Sequence, residues 1–99
     1  MKIANITNNK GNSIPNQFII NDGNFEYFQS YDSIIVKVDR NNPNFGETVY
    51  LDCRFWDYST TTGKYRNLFL NENKRETEKK IKSGEYTLVD LNKYGLNIY

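Results

Sequence analysis

No histidine occurs in this chain, and cysteine and tryptophan occur once each. Without histidine a serine or cysteine nucleophile lacks its usual base, and a zinc centre would lack both imidazole ligands and a cysteine pair. The lone Cys53 also excludes an internal disulfide. There is no glycine-rich phosphate loop, and no apolar run approaches the length that spans a bilayer. An excess of one charge is missing too: 13 Lys and Arg against 12 Asp and Glu leave +1, far from the basicity of a protein that lives on phosphate backbones. The opening MKIANITNNKGNSIPN has no apolar segment of a secretory signal. A cytoplasmic location, no membrane association and a reduced, buried thiol are therefore expected, and the sequon at Asn5 carries little weight.

What is present is aromatic. Apolar residues make up only 37% of the 99 residues, but eight Tyr, six Phe and one Trp let a few large side chains build the core. The length gives one domain, which should bury roughly two-thirds of its unfolded surface. Within it, 1–16 reads as an irregular lead-in, apart from a short strand at Lys2 to Ile6, 17–92 as the folded core and 93–99 as a tail. Asn, Lys, Ile and Tyr are abundant, as AT-rich codons would make them, which bears on origin rather than mechanism.

Gln17 to Ile20 and Asn24 to Tyr31 flank Asn21-Asp22-Gly23, whose Asp-Gly pair suits a tight hairpin. A second turn is expected at Ser30-Tyr31-Asp32-Ser33. Beyond it Ile34, Val36 and Val38 alternate with Ile35, Lys37 and Asp39, the period of a half-buried strand. Arg40 to Gly46 carries Pro43 and reads as a loop. From Thr48 to Tyr58 the alternation places Val49, Leu51, Cys53 and Phe55 on a core face and Tyr50, Asp52, Arg54 and Trp56 on the other. Tyr65, Leu68 and Phe69 stand at amphipathic spacing in a helix at about 62–70. Asn73 with Glu76 forms a capping box, and Gly84 stands where a helix ends, so a second helix covers about 73–83. A final strand follows at Tyr86 to Leu91. The fold class is α+β, an antiparallel sheet of four to five strands with two short helices inserted before the last strand.

Chemistry-bearing candidates are few. Asp52 with Asp57 or Glu47 has the residue types for hydrolytic acid–base work, but acids scattered over a small surface pair by chance. Asn21-Asp22-Gly23-Asn24 lacks the spaced acids of a calcium loop. No enzyme activity, metal or cofactor is implied. For recognition, Tyr50, Arg54 and Trp56 are types that dominate protein-binding hot spots, and Asp52 among them would fix register with a basic partner. The competing reading, which is favoured, packs the helices on this face and buries Tyr50 and Trp56 as a second core layer, with Arg54 nearer the rim. Lys64 and Arg66 around Tyr65, near Lys74 and Arg75, make an alternative basic patch for nucleic acid.

Phe28-Gln29-Ser30-Tyr31-Asp32-Ser33 before an Ile-rich strand, Val49-Tyr50-Leu51-Asp52, Trp56-Asp57-Tyr58-Ser59, Lys64-Tyr65-Arg66-Asn67 and Glu76-Thr77-Glu78-Lys79-Lys80-Ile81 together resemble a family of small uncharacterised proteins. These are encoded by phages and other mobile elements of low-GC bacteria, and the likeness covers about residues 25–92. The resemblance implies a host-takeover factor, such as an inhibitor of a CRISPR effector, that acts on a host protein or ribonucleoprotein complex without catalysis. The near-neutral charge argues against imitation of DNA.

Overall fold

Around Asn21-Asp22-Gly23 the chain turns as its sequence predicts. Gly23 takes the positive φ of 96°, and the Asp22 carboxylate accepts from the backbone N–H of Asn24 (3.0 Å) and Phe25 (2.7 Å). The computed structural model describes residues 1–42 and 46–92. In it β1 (Lys2–Thr7), β2 (Ser13–Asn21), β3 (Phe25–Ser30), β4 (Ser33–Asn42) and β5 (Gly46–Asp52) form an antiparallel meander. Helices α1 (Thr60–Leu70) and α2 (Lys74–Ser83) then lead to β6 (Tyr86–Val89), which pairs with β5 in parallel.

The α+β class and the two helices before the last strand agree with the sequence reading, but the sheet is six-stranded and mixed. The short strand expected at Lys2 to Ile6 is β1, and the stretch read as an irregular lead-in also contributes the start of β2, with Ile6 buried in the core. β5 ends at Asp52, so the strand expected through Tyr58 is cut short: Cys53 is exposed and Phe55 half-buried, not core residues of a strand. The last strand stops at Val89. The expected tail 93–99, and Pro43 to Phe45 of the expected loop, lie outside the described residues.

A β-bulge organises the core. Phe28 pairs with Val36 but Gln29 pairs with Ile34, leaving Ile35 as the extra residue in β4. The insertion inverts the alternation. Ile35, Val36 and Val38 join Ile6, Phe28, Val49, Leu51 and Tyr86 on the helix-covered face, while Ile34 points to the opposite face with Ile20 and Tyr27. Tyr65, Phe69 and Leu70 of α1 and Ile81 of α2 pack on the first cluster, as their spacing predicts.

Asn73 and Glu76 form the capping box, and Gly84 ends α2 with φ of 85°. Beneath α2, the Glu72 carboxylate accepts from Thr77 Oγ1, Lys80 Nζ (2.8 Å) and Tyr86 Oη (2.8 Å), with only 3% of its side chain exposed. Burial alone would raise the Glu72 pKa, but the donors from Lys80, Thr77 and Tyr86 outweigh it and hold the carboxyl below its ordinary range. Burial, and then the bond to Glu72, push Tyr86 up to about 12. Stability from Glu72 should therefore be complete above the usual glutamate range and be lost as pH falls through its lowered folded value. That from Tyr86 should be complete below the unfolded tyrosine value and be lost as pH rises through about 12. Urea unfolding across pH is expected to show both flanks, and Glu72→Gln should flatten the acid one.

Candidate functional site

The segment between β5 and α1 is shaped by one carboxylate. Asp52 is fully buried, and its Oδ2 accepts from the backbone N–H of Arg54 (3.0 Å) and Phe55 (2.9 Å), which turns the chain out of the sheet. Its Oδ1 accepts from Leu91 N–H (2.9 Å) and Asn92 Nδ2 (3.0 Å), which fastens the segment after β6. Asn92 in turn donates to Ile34 O (2.9 Å) and accepts from Ile34 N–H (2.8 Å), reaching the bulge. A carboxylate holding four donors is a structural clasp, so Asp52 is not the exposed register residue the sequence reading made it.

The other three predicted binding residues do not share a face either. Tyr50 is half-buried on the sheet face away from the helices, with Lys37 Nζ 5.8 Å from its ring centroid. The helices cover the opposite face, so Tyr50 is not part of a layer beneath them. Arg54 is exposed, with Nη2 3.2 Å from both oxygens of Asp90 and the guanidinium 5.4 Å from the Phe55 ring. Trp56 is half-buried against the helix-side core, as the core-layer reading expects, and Arg66 sits 5.2 Å over its ring.

Ser59 caps α1 by accepting from Thr62 N–H (3.1 Å), and the fully buried Thr62 hydroxyl lies 2.9 Å from that of Ser30. This bond brings the β3–β4 turn against the start of α1. Between them lies a groove of about 360 Å³, with Phe55 and Ile35 along it and Tyr31, Asp32 and Tyr58 at its margins. Phe55 and Tyr58 meet edge to face at 5.5 Å. Tyr58 is 67% exposed and Tyr31 49% exposed. Tyr31 also holds φ at 55°, a region that bulky L residues seldom occupy.

Three of the four residues of the predicted basic patch line one groove, and Arg75 does not. Arg66 is buried, donating to Trp56 O and to Asn67 Oδ1 (3.0 Å), with Asp57 3.6 Å away. Lys74 pairs with Asp57 at 2.7 Å. Lys64 is exposed, with its ammonium 5.4 Å from the Tyr65 ring, and Arg75 is exposed on the first turn of α2. Lys64, Arg66 and Lys74 do meet around a second groove of about 590 Å³ at the start of α1, which also includes Asp57 and Gly63.

Of the acids weighed for hydrolysis, Asp52 has its oxygens filled and Asp57 is held by Lys74 and Arg66. Among the described residues no group of three or more His, Cys, Asp or Glu side chains could hold a metal ion, and no helix is long and apolar enough to cross a membrane. The sequence reading missed Tyr31 and Tyr58. The available signal was Asp52 itself, since an Asp at a strand end readily accepts from backbone amides two and three residues on, which turns the chain and breaks the alternation.

No curated protein and no solved structure matches the chain. Residues 1–85, which include the first five strands and both helices, match the model of a family of unknown function, DUF8033, and the chain belongs to that family.

Proposed function

We propose that this chain is a non-enzymatic binding protein of a phage or mobile element that inhibits a host protein machine, such as a CRISPR effector, in the bacterial cytoplasm. Its contact surface is the groove lined by Tyr31, Phe55 and Tyr58, in place of the Tyr50, Asp52, Arg54 and Trp56 set. The observation that carries this reading is the pair of exposed tyrosines flanking one groove, one of them held at a costly positive φ. Strain of this kind persists where the surroundings impose it and clusters at binding sites. Exposed Tyr beside the Phe55 and Ile35 side chains is a residue type of interface hot spots.

The alternative, a nucleic-acid accessory protein using Lys64, Arg66, Lys74 and Arg75, has less support because Arg66 is buried and Lys74 is ion-paired. Affinity capture from a low-GC bacterial host separates the two. With Tyr58→Ala, retention of the partner protein should weaken by about thirtyfold or more with stability unchanged. Equal retention by the variant, or retention of nucleic acid that falls steeply with salt, would reject the reading.

A further inference from the structure

The groove between the β3–β4 turn and the start of α1 has one charged side chain in its lining, the carboxylate of Asp32. We infer that this groove receives a single arginine side chain of a partner protein, the guanidinium lying against the Tyr31 and Tyr58 rings and pairing with Asp32. The inference rests on the contact surface proposed above and names the chemistry that surface selects.

Asp32 is exposed, and it makes no hydrogen bond or ion pair among the described residues. By contrast Glu26, Glu47, Asp57, Glu72 and Asp90 each have a lysine or arginine of the chain within 3.2 Å. A solvated carboxylate alone selects nothing; the rings beside it do. Aromatic faces attract guanidinium groups, and an adjoining carboxylate adds a charge-assisted hydrogen bond. The chain uses this combination twice within itself. Arg54 lies 5.4 Å from the Phe55 ring with Nη2 3.2 Å from both Asp90 oxygens, and Arg66 lies 5.2 Å over Trp56 with Asp57 3.6 Å away. At Tyr31, Asp32 and Tyr58 the rings and the carboxylate are present, and no cation of the described residues meets them. A lining with a carboxylate and no lysine or arginine also disfavours a phosphate backbone, which points to a protein ligand.

Both walls are set in advance. Tyr31 N–H donates to Asn16 O (2.7 Å) and its carbonyl accepts from Gln29 Nε2 (2.7 Å), which holds the residue at its positive φ. On the other wall Tyr58 N–H donates to Phe55 O (3.2 Å), and the two rings meet edge to face. The bond between the Ser30 and Thr62 hydroxyls ties the walls together. Walls that need no ordering lower the cost of binding. About 360 Å³ is near the lower end of ligand-sized sites, so the groove suits one long side chain rather than a helix. Arginine fits better than lysine, because its planar, weakly hydrated guanidinium stacks on a ring while its fork meets a carboxylate.

The test is a titration of the purified chain with N-acetyl-arginine methylamide, beside the citrulline and leucine analogues, followed through backbone amide resonances. A saturable response at millimolar concentration is expected, centred on residues 30–33 and 55–58, with citrulline, the uncharged isostere, about tenfold weaker. Asp32→Asn should weaken arginine binding about fivefold and leave citrulline unchanged, whereas Glu78→Gln, an equal charge change on exposed α2, should have an effect of less than about twofold. Equal binding of arginine and citrulline or leucine, equal losses for the two variants, or no saturable response would overturn the inference. The titration uses no host protein, so it fails separately from the capture experiment. A partner lost with Tyr58→Ala but kept with Asp32→Asn would leave the contact surface standing and remove the arginine assignment. Selective arginine binding by a chain that captures no host protein would keep the assignment and reject the inhibitor reading.

Discussion

Asp52→Ala is expected to cost about 3 to 4 kcal/mol in urea unfolding, a large effect for a chain of this size. Four donors would lose one acceptor: Arg54 N–H, Phe55 N–H, Leu91 N–H and Asn92 Nδ2. The loss falls on three parts of the chain together, since the same carboxylate turns the exit of β5, fixes the segment after β6 and, through Asn92, steadies the bulge at Ile34. Asp52→Asn keeps the shape but turns an acceptor oxygen into a donor facing other donors, so it should recover only part of the loss. A variant within about 1 kcal/mol of the wild type would show that water replaces the carboxylate at little cost.

Phe28→Ala should have an effect at least as large, about 3 to 5 kcal/mol. Phe28 is fully buried at the centre of the helix-side core and stacks on Phe69 with centroids 5.8 Å apart. Losing it removes an aromatic contact between β3 and α1 and leaves a cavity in the helix-side core. Phe55→Ala should cost roughly half as much, because that ring is half-buried and one side faces the groove. Equal costs would mean that the chain after Asp52 continues as a core-facing strand, as plain alternation has it.

Which features were legible follows from the range over which each is determined. The hairpin at Asp22-Gly23, the Asn73–Glu76 capping box and the Gly84 terminus depend on residues within one turn of each other, and the sequence displays all three. The bulge at Ile35 does not announce itself, since one inserted residue leaves every local pattern plausible and only shifts its phase. The parallel docking of β6 is set by how two helices return the chain to β5, a long-range fact absent from the YTLV pattern itself. At the candidate site, composition picked out the 50–66 unit but misassigned its members. Charged residues are usually exposed, so neither the burial of Arg66 under Gly63 nor that of Asp52 among four donors could be read from residue type. Tyr58 looked like the end of a strand, and becomes a groove margin because Asp52 ends that strand six residues earlier.

Tyr31→Gly puts stability and binding in opposition. Glycine removes the strain of φ 55°, which for an L residue is worth about 1 to 2 kcal/mol. It gives back roughly 0.5 to 1 kcal/mol in unfolded-chain entropy, so the variant should be as stable as the wild type or up to about 1.5 kcal/mol more stable. If Tyr31 is held in this conformation to meet a partner, the same substitution should sharply weaken retention of the protein captured by the wild-type chain. Measured on one purified variant, unchanged or higher stability with lost binding is the expected result. Lower stability with binding intact would contradict it, and would make Tyr31 a packing residue rather than a recognition residue.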